Sequence, residues 1–330
     1  MATDVLSDVL RAVHLTGAVF FDFELSSPWV LEAPPSREIA STVMPGAERV
    51  IEYHLIMSGA CWGHAVGDPP LRLRAGDLIV FPQGAAHVMS SAPGMRNPSD
   101  ASMFVRQPLS PKLHALEAGG GGPERARVLC CFLGCDERPF NPLLAALPSV
   151  MHLSGGSSDP SGQWLATLMD LAAKESVAAR PGSENVLARL SELMFVETIR
   201  RHLETLPAAE TGWLAGLRDP MIGQALSALH GNPRAPWTVE ELARRAGLSR
   251  SVFAERFSAM VGETPMQYLA LWRMQLAAKR LSEGAPVAEA ADAVGYASEA
   301  AFSRAFKKLL GQAPAAWRRR LGERKGAGIA

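Results

Sequence analysis

The sequence predicts an α+β chain: an amino-terminal antiparallel β-barrel with a helical appendage, then an all-α domain of two helix-turn-helix units joined by a long helix. Three observations carry this. Short alternating segments separated by Gly, Pro and Asp turns fill residues 37–107, the pattern of half-buried strands. The last third of the chain repeats its own landmarks, the mark of a duplicated unit. Charge divides along the same line. Overall 33 Lys+Arg balance 33 Asp+Glu, but from Trp213 onward there are 17 against 10, which leaves 16 against 23 before it. A basic unit suited to a polyanion is joined to an acidic one.

Composition excludes several classes. With 48% hydrophobic and 20% charged residues among 330, the chain has the balance of a globular protein of two domains rather than a disordered one. No stretch reaches the ~18 consecutive apolar residues that a membrane span requires. The opening MATDVLSDVLRAVHL is acidic and has no basic n-region, so no secretory signal is expected. Cys61, Cys130, Cys131 and Cys135 form neither a CxxC pair nor a disulfide framework, the usage expected of a reducing cytoplasm.

In the amino-terminal part, EYHLIMSGACWGHAV and LRLRAGDLIVFPQGAAHVM read as strands, and ASMFVRQPL at 101–109 as another. Gly119–Gly122 reads as a flexible loop without the following Lys-Ser or Lys-Thr that phosphate cradling requires. Cys130 and Cys131 lie in an apolar strand-like run. Neighbours there point to opposite faces, so the two are poorly placed to bond each other. The segments SGQWLATLMDLAAKES and SENVLARLSELMFVETIRRHLET are helical, the second with a stripe through Leu187, Leu190, Met194, Ile199 and Leu203. That stripe either closes on the barrel or pairs with its copy in another subunit. Pro207–Gly212 is the natural linker, giving a first domain over 1–206, a linker over 207–217 and a second domain over 218–322.

That second domain holds the repeat. Ala243, Gly247, Phe253, Phe257, Gly262 and Pro265 recur as Ala291, Gly295, Phe302, Phe306, Gly311 and Pro314, with one extra residue between Gly295 and Phe302. Each unit reads as helix, tight turn, helix. Thr238 with Glu241 predicts a capping box, Ser249 and Ser298 predict caps, and Gly247 and Gly295 suit turns that need positive φ. The paired phenylalanines, four apart, face inward and leave Glu299, Ser303, Arg304 and Lys307 on open surface. Between the units, one rigid helix is expected from about Pro265 to Leu281.

The strings WTVEELARRAGLSRSVFAERF and VGYASEAAFSRAFKKLLGQAPAAWRR resemble the paired DNA-binding units of the AraC/XylS transcription regulators. The resemblance covers about 100 residues, from 220 to 319. It implies base-edge contacts with double-stranded DNA from Arg250, Ser251, Ala254 and Glu255 in the first unit. In the second unit it implies contacts from Glu299, Ala300, Ser303 and Arg304, with Lys307 and Lys308 suited to phosphate. Ala75–His87, with its Gly-Asp turn and Pro-x-Gly turn before a histidine, resembles the second conserved stretch of cupin barrels. The upstream residues look like the opening of the cupin-type sensor carried by one branch of the same regulators. A homodimer, a small-molecule effector and contact with RNA polymerase follow as expectations from that resemblance.

The effector pocket is expected among Trp29, His54, Cys61, Trp62, His64 and His87. His54, His64 and His87 are also candidate ligands for a metal ion in the barrel. The catalytic cupin pattern, however, wants two histidines one residue apart and a nearby glutamate, and Tyr53-His54-Leu55-Ile56 offers one histidine. Hydrogen-bonded or pocket-lining histidines are therefore the reading preferred, and no cofactor is assigned. Cys61 is the better thiolate candidate if the histidines converge on it. No nucleophile triad has a recognisable spacing, so no residue is assigned a catalytic role. The competing classes are a metal-dependent cupin enzyme carrying a DNA-binding tail and a thiol- or metal-based redox sensor.

Overall fold

From the amino end the computed structural model runs α1 (Val5–Val13), β1 (Leu15–Ser26), β2 (Val30–Ala33), α2 (Ser36–Val43), β3 (Arg49–Ser58), β4 (Ala60–Ala65), β5 (Leu71–Arg74), β6 (Leu78–Phe81) and β7 (His87–Ser90). There follow β8 (Leu113–Gly119), β9 (Arg125–Cys135), α3 (Pro142–Ala146), β10 (Met151–Leu153), α4 (Pro160–Ala178) and α5 (Ser183–Thr205). The remainder is helical: α6 (Trp213–Arg218), α7 (Pro220–Gly231), α8 (Val239–Arg245), α9 (Arg250–Val261), α10 (Pro265–Ser282), α11 (Val287–Ala293) and α12 (Glu299–Leu310). The structure describes residues 3–13, 15–44, 47, 49–97, 113–135, 140–155, 160–178, 180–207 and 210–319. The strand expected at 101–109 lies outside them.

One compact unit comprises residues 15–136 and 147–205. It holds a six-stranded sheet in the order β10-β6-β3-β9-β1-β8 and a four-stranded sheet in the order β2-β7-β4-β5. Phe21, Phe23, Val50, Ile56, Phe81, Val128 and Phe132 of the first sheet share a core with Ala33, Cys61, Leu73 and Met89 of the second. Alternation along β3 turns Val50, Glu52, His54 and Ile56 into that core. The other face of the sheet is buried too: α5 packs on β1 and β9, and Cys131 Sγ of β9 lies 3.2 Å from Ser191 Oγ. Burial on both faces leaves Val50–Ile56 buried without a break, Glu52 and His54 included.

Three features of this unit differ from the sequence reading. β1 pairs with β8 in parallel, from Phe20↔Leu113 to Ser26↔Gly119, so the sheet is not wholly antiparallel. A long connection after β7 allows this, because parallel neighbours need a crossover rather than a hairpin. Residues 36–43, inside the stretch read as strands, form α2, which buries Ser36, Ile39, Ala40 and Val43 on one helical face. Gly119–Gly122 forms an ordered turn. Gly120 N–H donates to the carbonyls of Ser26 (3.1 Å) and Pro28 (3.0 Å), and Gly122 N–H to that of Ser27 (2.7 Å). A β-carbon on Gly122 would lie 2.4 Å from the Ser27 oxygen, so the glycines permit a close backbone approach.

The second unit comprises residues 1–14, 137–146 and 206–330. The boundary read at residue 206 therefore misses two segments that pack with the helical domain. α1 buries Val5, Val9, Ala12 and Val13, an i, i+4, i+7, i+8 stripe that needs a partner. It rests on α7 and α10. The Gln275 side chain ties both segments down: its Nε2 donates to the Ala12 carbonyl at 2.9 Å and its Oε1 accepts from the Phe140 N–H at 2.9 Å.

The repeat folds as expected. Ser249 and Ser298 cap α9 and α12 by accepting from Val252 and Ala301 N–H. Phe253 and Phe257, and Phe302 and Phe306, are wholly buried. Thr238 caps α8, but the Glu241 carboxylate is taken by Arg244 and Arg245 rather than returning to the cap. The reciprocal box forms instead at Thr264 and Gln267, at the start of α10. The two turn glycines differ. Gly247 (φ 68°) faces open space, whereas a β-carbon on Gly295 (φ 81°) would lie 2.5 Å from the Arg234 carbonyl oxygen. Gly247→Ala should cost about 1–2 kcal/mol of left-handed strain. Gly295→Ala should cost measurably more, read from urea denaturation midpoints at constant slope.

Candidate functional site

Two constellations carry function-bearing side chains. On the helical unit, α9 and α12 bury one edge and open the other. Along α12, Phe302 and Phe306 are buried while Glu299, Ala300, Arg304, Lys307 and Lys308 are exposed and Ser303 is half-buried. Along α9, Arg250, Ser251 and Glu255 are exposed and Ala254 is half-buried. Arg250 pairs with Glu240 of α8 at 2.8 Å, an exposed pair with side chains 71% and 59% open. Such pairs are worth little and exchange readily for a phosphate. Every residue singled out in the repeat thus lies on a face not consumed by the core.

The second constellation lies between the sheets of the β unit. His54 on β3 and Cys130 on β9 are cross-strand partners, and His54 Nδ1 lies 2.8 Å from Cys130 Sγ. His87 reaches from the opposite sheet, placing its Nε2 2.7 Å from His54 Nε2, while its Nδ1 lies 2.9 Å from the Ala85 carbonyl oxygen. Phe81 stacks on the His87 ring, with centroids 3.9 Å apart. Burial holds both imidazoles neutral: it drives the pKa of His54 well down and that of His87 to about 4, the neighbouring imidazole adding to the effect at His54.

Neutrality determines the hydrogens. A carbonyl only accepts, so His87 Nδ1–H donates to Ala85 and leaves His87 Nε2 as an acceptor. His54 Nε2–H then donates to His87, and His54 Nδ1 accepts from the Cys130 thiol. The result is a one-way chain from thiol through two rings to a backbone oxygen.

Glu52 sits two residues before His54 on the same face of β3. It is wholly buried, its carboxyl oxygens have no hydrogen-bond partner, and burial raises its pKa well above the usual carboxylate range. Glu52, His54, His87 and Cys130 all line one small pocket with Phe23, Leu31, Met89 and Phe132. The sequence reading missed Glu52 and Cys130. The signal for Glu52 was present in the Glu-x-His spacing, which strand parity places on one face; Cys130 requires knowledge of the register.

The other pocket candidates lie elsewhere. Trp29 and Cys61 are packed in the core cluster, and Trp62 stacks under Arg72, 5.3 Å from its centroid. His64 is buried with its Nδ1 unpartnered; burial and Arg96 lower its pKa. The thiol that meets a histidine is that of Cys130, not Cys61. As for a metal, no three His, Cys, Asp or Glu side chains among the described residues are arranged to hold an ion.

Residues 4–204 match a family model described as a cupin, and residues 242–320 match one described as a helix-turn-helix domain. Over 277 residues the chain is 35% identical to an AraC-like transcription regulator of Streptomyces lividans, spanning 83% of this chain and 88% of that one. Over 316 residues it is 29% identical to the HTH-type transcriptional regulator AlkR of Acinetobacter baylyi, spanning 96% and 99%. Among solved structures, the DNA-binding domain of AdpA in complex with a target DNA aligns with 33% of this chain and 97% of that one, at 31% identity and a TM-score of 0.31.

All four cysteines are buried. Burial pushes the thiol pKa of Cys61 and of Cys131 up to about 12 and raises that of Cys130, the reverse of what a reactive thiolate needs. A disulfide reagent should therefore titrate none of the four rapidly in the native protein and all of them in guanidinium. Fast native reaction of any one would restore the thiol-sensor reading.

Proposed function

The chain belongs to the AraC-like transcription regulators with an amino-terminal cupin domain, and on that premise we propose how its two units divide the work. It is a DNA-binding transcription regulator rather than an enzyme. The observation that carries the reading is the duplicated unit, in which α9 and α12 are each capped, phenylalanine-anchored and open along one edge. In our reading the two helices enter successive major-groove segments, about 34 Å apart along the duplex. Arg250, Ser251, Ala254 and Glu255 face bases from α9, and Glu299, Ala300, Ser303 and Arg304 from α12, while Lys307 and Lys308 neutralise phosphates.

The barrel interior is the effector site in this proposal, with the Glu52–His54–His87 pocket replacing the wider set of candidates. A ligand that binds one arrangement of the sensor better than another shifts operator occupancy or contact with RNA polymerase. Dimerisation is assigned to α4 and α5. Trp164 and Leu171, seven residues apart on α4, and Val186 and Leu193, seven apart on α5, are 45–52% exposed despite being large and apolar. A repeat of seven is the spacing of a helical seam, and a second copy of the same hairpin is its natural cover. Among the described residues no helix is long and apolar enough to cross a membrane, and the proposal places the protein with its DNA in the cytoplasm.

Two measurements test these assignments. Arg304→Ala should weaken binding to the protein's own promoter region by about tenfold to hundredfold in a mobility-shift titration, with the thermal midpoint unchanged; undiminished binding removes Arg304 from the interface. Leu171→Glu combined with Leu193→Glu should convert the wild-type dimer to a 35.3 kDa monomer in light scattering. A mass that does not change rejects this face as the seam.

A further inference from the structure

Glu52 is buried with both carboxyl oxygens lacking a hydrogen-bond partner. His87 Nε2 is 3.8 Å from its Oε2, and the lone pair there is already committed to His54. The three donors on the pocket floor (the Cys130 thiol, His54 Nε2–H and His87 Nδ1–H) are all spent along the chain to Ala85. The second carboxylate lining the pocket, Glu32, is held by Arg96 through Nε at 2.9 Å and Nη2 at 2.5 Å. The unmet capacity is therefore that of the two Glu52 oxygens, and of the acid's own O–H while it is protonated, set among Phe23, Phe132, Leu31 and Met89. An occupant that brings several donors satisfies both oxygens once Glu52 gives up its proton, and its body has to be apolar.

We infer that the barrel is a receptor for an apolar amine, whose ammonium head donates to the two oxygens of Glu52 and whose hydrocarbon body lies along Phe23, Phe132 and Met89. The inference rests on the effector-sensing reading above and names the chemistry of its ligand. The open space in the pocket is about 20 Å³, room for one water-sized group, so the head is seated first. The body enters by parting Leu31 and Met89, which are cross-strand partners on β2 and β7; an unbranched thioether repacks easily. Ring faces next to the head add cation–π attraction. Charge balances when Glu52 passes its proton to solvent as the ammonium enters, leaving a neutral pair inside.

The test uses the full-length protein with n-hexylamine, n-hexanol, n-hexanoate and zinc chloride, read by calorimetry and by thermal midpoint. Hexylamine should bind at least roughly tenfold more tightly than hexanol or hexanoate, the advantage of a charge-assisted hydrogen bond at a buried carboxylate. Glu52→Gln should abolish that advantage. Equal binding of hexanol, preference for hexanoate, binding by none of the four, or stoichiometric zinc uptake that Glu52→Gln removes each overturns the proposal. The ranking on the unsubstituted chain stands even where Glu52→Gln misfolds. Repeating the promoter titration with hexylamine separates the two readings. Amine binding that leaves DNA affinity unchanged keeps the pocket and removes its regulatory role; a DNA response to hexanol alone keeps effector sensing and removes the amine.

Discussion

The DNA-binding half depends on one helix that must not bend. α10 spans Pro265–Ser282, 18 residues and roughly 27 Å at 1.5 Å per residue. Its first half seats the first unit through Tyr268, whose ring meets Phe257 edge-on with centroids 5.9 Å apart. Its second half seats the other unit, where Met274, Ala277, Ala278 and Leu281 share a core with Phe302, Phe306 and Trp317. The capping box at Thr264 and the proline at its first turn satisfy and stiffen its start. With neither glycine nor proline inside it, nothing in its sequence invites a kink. The stride between α9 and α12 is thereby fixed by a continuous hydrogen-bonded helix packed on both units rather than by a flexible linker.

Both units run hydrogen-bonded chains through their interiors, and both leave some buried polar atoms without a partner. In the helical unit, Trp213 Nε1–H donates to the Tyr268 hydroxyl at 2.8 Å, and that hydroxyl lies 2.8 Å from His230 Nε2, itself stacked on Trp272 with centroids 4.1 Å apart. Donors and acceptors run in sequence and rigidify the core. In the β unit the chain from Cys130 to Ala85 is equally complete, yet a carboxyl group stands beside it with no partner. Leaving such a group unpaired costs on the order of 1–3 kcal/mol. A cost of that size is what the ammonium head proposed above would relieve.

What was legible in the sequence follows from how local each cause is. Gly247, Gly295, Ser249, Ser298 and the paired phenylalanines do their work within one turn of helix, so spacing alone exposes them, and both repeat units fold as read. The strands of β3 and β6 announce themselves by composition. Glu52 was overlooked because a search for two histidines discounts a glutamate at the same parity, and because carboxylates are seldom buried unpaired. Cys130 meets His54 across 76 residues of sequence, through a register no local pattern encodes. The parallel pairing of β1 with β8 and the docking of α1 on the helical domain are likewise long-range events. The glycines at 119–122 look like slack until the carbonyls of Ser26, Ser27 and Pro28 are seen to need them.

The docking of α1 bears on how this protein can be cut. A fragment begun at the apparent linker, residue 207, would carry both helix-turn-helix units and all of α10. It would also strip the Ala12 carbonyl and the Phe140 amide from Gln275, a side chain only 3% exposed in the whole chain. The seat vacated by Val5, Val9 and Val13 would face water on α7 and α10. A fragment that keeps these contacts is thus discontinuous along the polypeptide, and joining Thr3–Val13 to it by fusion or circular permutation would cover the seat on α7 and α10 again.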